Sequence, residues 1–279
     1  MMEKSARGKR DVWLVTLLPS AVQTSTITIP DVNYINLICC ETSDRFWVSG
    51  ESKLLKVDSR GNVLIRLVVG LSGMSTNTDG ELMFTTGNSV EKIESNGIIT
   101  TLFSTNDIIK CIYSSCINGD ILLGLNNTAL DTSKVTRYDV TGQKILDIED
   151  QGVKLYNYPS YITENINGDI WTSDTVKVVV VNKSGKHRFN YRGHQSHYFN
   201  PKGICTDILG HVLVCNSSLF RPSVHLLDQD GQFLSLLLTK EHNIHDPRSV
   251  CVDDKHNLYL GQYGRNKIRV YKYIQVSDK

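Results

Sequence analysis

Histidines, arginines and aromatic residues gather in the second half of this chain at spacings that bear on chemistry. His194-x-x-His197 and His242-x-x-His245 repeat one interval, and imidazole suits zinc or copper. No carboxylate stands where it would orient each ring, so no metal is assigned. Around these pairs run Tyr156, Tyr158, Arg192, Tyr198, Phe199 and Arg248, with Phe220, Arg221, Tyr263, Arg265, Asn266 and Lys267 beside them. Rings interleaved with guanidinium groups suit anchoring of a protein partner, or stacking on single-stranded RNA bases with phosphate contacts. The binding set read from this pattern is Tyr156, Tyr158, His197, Tyr198, Arg221, His245, Arg248, Tyr263 and Arg265. Asp174, Glu241 and Asp246 dilute the positive field there, which favours protein over RNA.

Catalytic signatures are fewer. There is no Gly-x-Ser-x-Gly, and no nucleophile and base stand out as a pair. Glu164, Asp207 and Asp253 recur just ahead of turn residues, where a carboxylate caps backbone N–H groups. The expectation is a non-catalytic binder with no catalytic residue and no cofactor.

Composition bounds the class. The chain has 279 residues, 30 basic and 29 acidic, for a net charge of +1. No global field draws it to nucleic acid or anionic lipid. Its 7 cysteines stand at 39, 40, 111, 116, 205, 215 and 251, an odd number without a Cys-x-x-Cys pair or zinc-finger spacing. They read as free thiols in a reducing compartment, hence cytoplasmic. Lys4, Arg7, Lys9 and Arg10 precede the apolar run from Val12 to Leu18, which resembles a weak secretory signal. Asp11 and Thr16 interrupt it. No apolar segment is long enough for a membrane span, and a monomer is expected.

The elements that position these residues are repeats. The pattern apolar-x-x-apolar-acid/amide-x-x-Gly ends at Gly61, Gly97, Gly142, Gly185 and Gly231, a period of roughly 45 residues. Each copy is preceded by a polar turn and an apolar run, as in Gly119-Asp-Ile-Leu-Leu123 and Gly168-Asp-Ile-Trp171. A sixth run stands at His256-Asn-Leu-Tyr-Leu260. Asp or Asn with Gly supplies the positive φ of a tight hairpin, and the β-branched and aromatic flanks read as strands. Later copies open on Pro159, Pro201 and Pro247, where a strand tolerates proline.

Four antiparallel strands per repeat, a to d, and six repeats spell an all-β six-bladed β-propeller. The last repeat lacks strand d. The β-rich segment from Val22 to Ile29 is the remaining strand and is expected to close the ring on the blade built from 247 to 273. The expected organisation is a tail over 1–19, the propeller over 20–273 and a tail over 274–279. The aromatic and basic set then falls on loops between strands d and a and between b and c, which share one face, here called the top. A lactonase propeller would instead set carboxylates and an asparagine around calcium in its channel, and no such set is apparent.

Pro201-Lys-Gly-Ile-Cys-Thr-Asp207, Gly210-His-Val-Leu-Val214 and Val224-His-Leu-Leu-Asp-Gln-Asp-Gly-Gln-Phe233 resemble an NHL repeat. Glu164 to Ile170, Val178 to Asn182 and Lys186 to Phe189 resemble the NHL propellers of tripartite-motif (TRIM) proteins, mollusc ones especially. The resemblance spans about residues 20–273, diffuse in blades one to three and sharper in four to six. It implies substrate recognition for a ubiquitin-ligase pathway, with single-stranded RNA binding as the alternative and a metal-dependent lactonase-like hydrolase as the second. No zinc framework or heptad helix of such a ligase is present in this sequence.

Overall fold

The computed structural model describes residues 13–94, 97–148, 154–194 and 198–278. Blade one holds β2 (Leu37–Thr42), β3 (Arg45–Gly50), β4 (Lys53–Asp58) and β5 (Val63–Val68). Blade two holds β6 (Met74–Thr76), β7 (Leu82–Thr86), β8 (Ser89–Ile93) and β9 (Ile99–Ser104). Blade three holds β10 (Ile108–Ser114), β11 (Ile121–Asn127), β12 (Thr132–Tyr138) and β13 (Lys144–Ile148). Blade four holds β14 (Pro159–Glu164), β15 (Ile170–Asp174), β16 (Lys177–Val181) and β17 (His187–Tyr191). Blade five holds β18 (Pro201–Thr206), β19 (Val212–Asn216), β20 (Ser223–Leu227) and β21 (Phe233–Leu238). Blade six holds β22 (Pro247–Val252), β23 (Asn257–Gln262) and β24 (Lys267–Asp278), completed by β1 (Trp13–Thr28). These are six four-stranded antiparallel sheets in a ring. One turn of 3-10 helix, Lys240–His242, is the sole helix among the described residues, and no helix there is long and apolar enough to cross a membrane.

The ring closes as the sequence implies, and further out. Thr28 pairs with Lys267, Ile27 with Ile268 and Val22 with Lys272, and beyond a register shift the ladder runs on from Leu17 opposite Ile274 to Trp13 opposite Asp278. From Trp13 on, the apolar run after the basic N-terminus is therefore strand.

Burial explains the residue patterns. The middle strands are covered on both faces by neighbouring blades, so β15, β19 and β20 are buried throughout and β16 from Val178 to Val181. The fourth strand has one wet face, and β5 alternates along its length. Trp171, fully buried, meets the Phe189 ring edge-on at 5.6 Å in the core between blades four and five.

The turns use one device repeatedly. Asp228 Oδ1 accepts from the N–H groups of Asp230 and Gln232 at 2.9 and 2.8 Å. Gly231 follows at φ +87, where a Cβ would lie 2.3 Å from the Phe189 ring, so both conformation and space demand glycine. In the sixth copy His256 takes the left-handed position at φ 64. Asp207 and Asp253 cap their turns as expected, Asp253 Oδ1 accepting from Lys255 and Asn257. Glu164 corrects the expectation: Asn165 is the cap. The Glu164 carboxylate, buried, pairs with Arg137 at 2.6 Å and accepts from Ser115 Oγ.

His225, in β20, is almost fully buried; its Nδ1 lies 2.7 Å from the Tyr191 hydroxyl and its Nε2 3.0 Å from Ser223 Oγ. Burial, with His194 adding to it, pushes its pKa down to about 4 from 6.5. The unfolded chain then binds a proton that the folded chain refuses. Stability is expected to be full above pH 6.5 and to fall as pH drops toward 4, by up to about 3 kcal/mol. Urea titrations of wild type and His225→Gln across that window check this. The variant loses the histidine part of the slope, and equal slopes refute it.

Candidate functional site

The first strands of neighbouring blades touch one another around the axis and form the channel wall. Each strand gives one aliphatic side chain at the same height: Ile38, Met74, Ile112, Ile162, Ile204 and Val250, none more than 9% exposed. This collar divides the channel. Above it lies a cavity of about 60 Å³ bordered by Ser160, Ser249 and glycines, and below it one of about 290 Å³ bordered by Cys39, Cys40, Cys205, Cys251 and Tyr113. A channel calcium needs several hard oxygen ligands. Aliphatic, hydroxyl and thiol groups do not supply that set, and among the described residues no three His, Cys, Asp or Glu side chains are grouped to hold a metal. The channel metal of a lactonase does not fit this chain.

Above the collar, irregular register places charge on the rim. Strand a breaks register with strand b between Ile109 and Cys111, Pro159 and Tyr161, Pro201 and Ile204, and Pro247 and Ser249. Such bulges re-aim the extra residue. The residues inside them include Lys110, Ser160, Lys202 and Arg248, so three cations stand on the top rim. Lys110 sits 5.1 Å above the Tyr158 ring and Arg248 4.8 Å above that of Tyr263. Asp246 is the counter-charge: Arg248 Nε donates to its Oδ1 at 3.1 Å, and Ser217 Oγ donates to the same oxygen. Lys202, half-buried, faces this group. Burial first, and Arg248 second, hold its amine below the usual lysine value while Asp246 opposes them.

Ser217 also borders a pocket of about 570 Å³ between blades four and five. Its walls are Val176, Tyr198, Leu219 and Phe220, all more than half exposed, with Arg192 at the edge. Tyr198 and Phe220 meet at 5.7 Å between centroids. An apolar pocket of this volume suits a small organic molecule, and Ser217 links it to the Asp246–Arg248 pair.

Of the residues expected to bind, Arg248 and Tyr263 form one cluster, where Tyr34 lies 4.7 Å from Tyr263. Tyr198 belongs to the apolar pocket. Tyr158 is half-exposed under Lys110, and Arg221, His245 and Arg265 are exposed on their loops. Tyr156 is a correction: at 1% exposure it packs in the core of blades three and four and offers no ring to a ligand. His197 lies outside the described residues. The remaining histidines are engaged separately. His194 stacks on Phe233 at 3.9 Å, the His242 Nδ1 accepts from the Thr239 N–H, and His245 Nε2 meets Asn243 Oδ1 at 3.2 Å.

No protein-family model matches the chain, and no curated protein matches it. Solved structures do. A gluconolactonase from Xanthomonas campestris superposes with a TM-score of 0.68 at 13% identity, covering 96% of this chain and 100% of that one. Virginiamycin B lyase from Staphylococcus aureus gives 0.64 at 15% identity, covering 96% and 89%. A catalytically inactive histidine-to-alanine variant of that lyase, solved with quinupristin, gives 0.64 at 15%, covering 96% and 88%.

At these identities the likeness establishes the fold. The neighbours named here are a gluconolactonase and a lyase, both enzymes, rather than tripartite-motif propellers. The expectation of a non-catalytic recognition module, and with it the reading that this chain is no enzyme, is corrected by them.

Tyr198, Phe199, Phe220 and Arg192 of the pocket wall were legible as loop aromatics and a cation, but Lys202 was not. Lys202 sits in a Pro-Lys-Gly-Ile run that reads as an ordinary strand start, and only the register shows its bulge. The signal available was alignment of the repeats, which puts Lys202 and Arg248 one residue after the strand-opening prolines of blades five and six.

Proposed function

We propose that this chain is a catalytic propeller of the hydrolase or lyase kind, cleaving an ester- or lactone-containing small molecule on its top face with Lys202 as the base. The observation that carries this reading is the junction at Ser217, which borders the apolar pocket and donates to Asp246, the partner of rim Arg248, while Gly203, next to Lys202, packs against the Arg248 backbone. The apolar part of the substrate packs against Tyr198, Leu219 and Phe220. Its carbonyl lies toward Arg248, whose charge stabilises the oxygen as negative charge develops there. Lys202, in its deprotonated form, takes a proton from attacking water in hydrolysis, or from the carbon next to the carbonyl in elimination. Asp246 orients Arg248. The names of the structural neighbours, a gluconolactonase and a lyase, support this class of chemistry.

The test is turnover by the purified chain on a panel of lactones, aryl esters and quinupristin. Saturable cleavage that survives EDTA is expected, with Phe220→Ala raising KM roughly tenfold through lost apolar contact. Absence of saturable turnover across the panel overturns the proposal, and turnover abolished by EDTA removes Lys202 from its central role.

A further inference from the structure

The lower cavity of the channel holds a pair of sulfurs that the proposed chemistry does not use. Cys40 lies near the end of the inner strand of blade one and Cys251 near the end of that of blade six. Their Sγ atoms lie 2.7 Å apart although 211 residues separate them in sequence. Both thiols are free and only partly buried, and both border the cavity of about 290 Å³ that opens below the collar. Cys39, Cys116 and Cys205 border the same cavity, but no other sulfur lies within hydrogen-bond distance of this pair among the described residues. Cys39, on the opposite side of its strand, donates to Thr76 Oγ1 at 3.7 Å, and Cys111 and Cys215 are buried in cores.

We propose that Cys40 and Cys251 are a reversible oxidation site, at which a hydroperoxide converts two thiols into a disulfide joining blade six to blade one. In the first step one sulfur attacks a peroxide oxygen: an S–O bond forms, the O–O bond breaks, and the thiol proton leaves with the departing hydroxide as water when the oxidant is hydrogen peroxide. In the second step the other sulfur displaces the sulfenic oxygen. The S–S bond forms, the S–O bond breaks, and the second thiol proton leaves in a second water. The pair loses two electrons and two protons, and the peroxide gains them. A disulfide is about 2.05 Å long, so the sulfurs close by less than about 1 Å.

The position gives the bond a purpose. Blade six is where the two ends of the chain meet, and its inner strand is tied to blade one by hydrogen bonds from the Ile38 N–H to Ser249 Oγ at 2.8 Å and from the Ser43 N–H to Asp254 Oδ1 at 2.7 Å. A covalent link there clips the ring at its seam, independently of the β1 ladder. Burial raises both thiols above the ordinary cysteine value. Peroxide in excess is therefore the appropriate oxidant.

The experiment treats the full chain with hydrogen peroxide or dithiothreitol, blocks remaining thiols with an alkylating agent in denaturant, and maps the peptides. Exposed Cys116 serves as the internal reference. A Cys40–Cys251 cross-link is expected, reversed by dithiothreitol, with Tm raised by about 5–10 °C in the oxidised form. Cys40→Ser and Cys251→Ser each remove the cross-link and the Tm rise while the reduced proteins keep the wild-type far-UV spectrum. Either variant failing to fold leaves the wild-type peptide map decisive. Three results overturn the proposal: both thiols still alkylatable after Cys116 is oxidised, sulfinic or sulfonic acid without a cross-link, or a bond from either residue to Cys39 or Cys205.

Discussion

Lys202→Met is expected to lower kcat for ester or lactone cleavage by about 10²–10⁴-fold, the usual contribution of a positioned base, with little change in KM. Methionine keeps the length and apolar stem of the side chain, so the half-buried site stays filled and only the amine is lost. Lys202→Arg is expected to fail equally, because a guanidinium stays protonated at every working pH. The wild-type profile supplies the sign. A base acts deprotonated, so activity rises with pH through the Lys202 pKa, which burial and Arg248 hold below 10.5. Arg248→Met removes a positive neighbour and leaves Asp246, so the rise is expected at higher pH. Initial rates between pH 6 and 11, with far-UV spectra as the control on folding, decide the matter. A Lys202→Met enzyme with normal kcat and a raised KM assigns Lys202 to binding alone.

The parts of this molecule that were readable in sequence are those fixed by local backbone demands. A tight turn favours a capping acid or amide and a residue at positive φ, and those requirements repeat, so Gly61, Gly97, Gly142, Gly185 and Gly231 mark blades one to five. The same reasoning explains why the tripartite-motif resemblance carries the propeller fold and no more. Its residues are mostly turn glycines, capping acids and buried valines, which four-stranded blades need whatever their ancestry. The functional side chains obey a different rule. Lys110, Lys202 and Arg248 become rim residues through bulges, which depend on how one strand meets the next. Tyr156 went the other way: a loop aromatic by position, it is drawn into the core of blades three and four beside Ile162 and Leu155.

Buried polar groups on the top face follow from the same geometry. Asp174, Asn216 and Gln262, each at the end of a blade's second strand, accept from backbone N–H groups of Asn157, Asn200 and His245. These side chains pin the loops that enter the following inner strands. They give these buried acid and amide side chains a structural role, and they leave Asp246 as the carboxylate paired with rim Arg248.

Deleting residues 1–28 is expected to abolish cooperative unfolding and send the protein into aggregates. β1 is the outer strand of blade six, and its ladder with β24 joins the beginning of the chain to its end. Without it β24 presents a long unpaired edge, which recruits other chains. The loss also strips apolar cover from two cores, since Ala21 packs with Tyr273 and Ile274, and Ile27 with Ile268 and Val270. Point changes separate edge from core. Ile27→Asp, at 5% exposure, is expected to cost about 4 kcal/mol by burying an unpaired charge, whereas Val22→Asp, at 55% exposure, changes stability by less than about 0.5 kcal/mol. A peptide spanning residues 13–28, added during refolding of the truncated chain, restores solubility if strand pairing is what was lost. Cooperative unfolding of the truncated chain at the wild-type midpoint, measured by circular dichroism in urea, shows instead that blade six holds without its fourth strand.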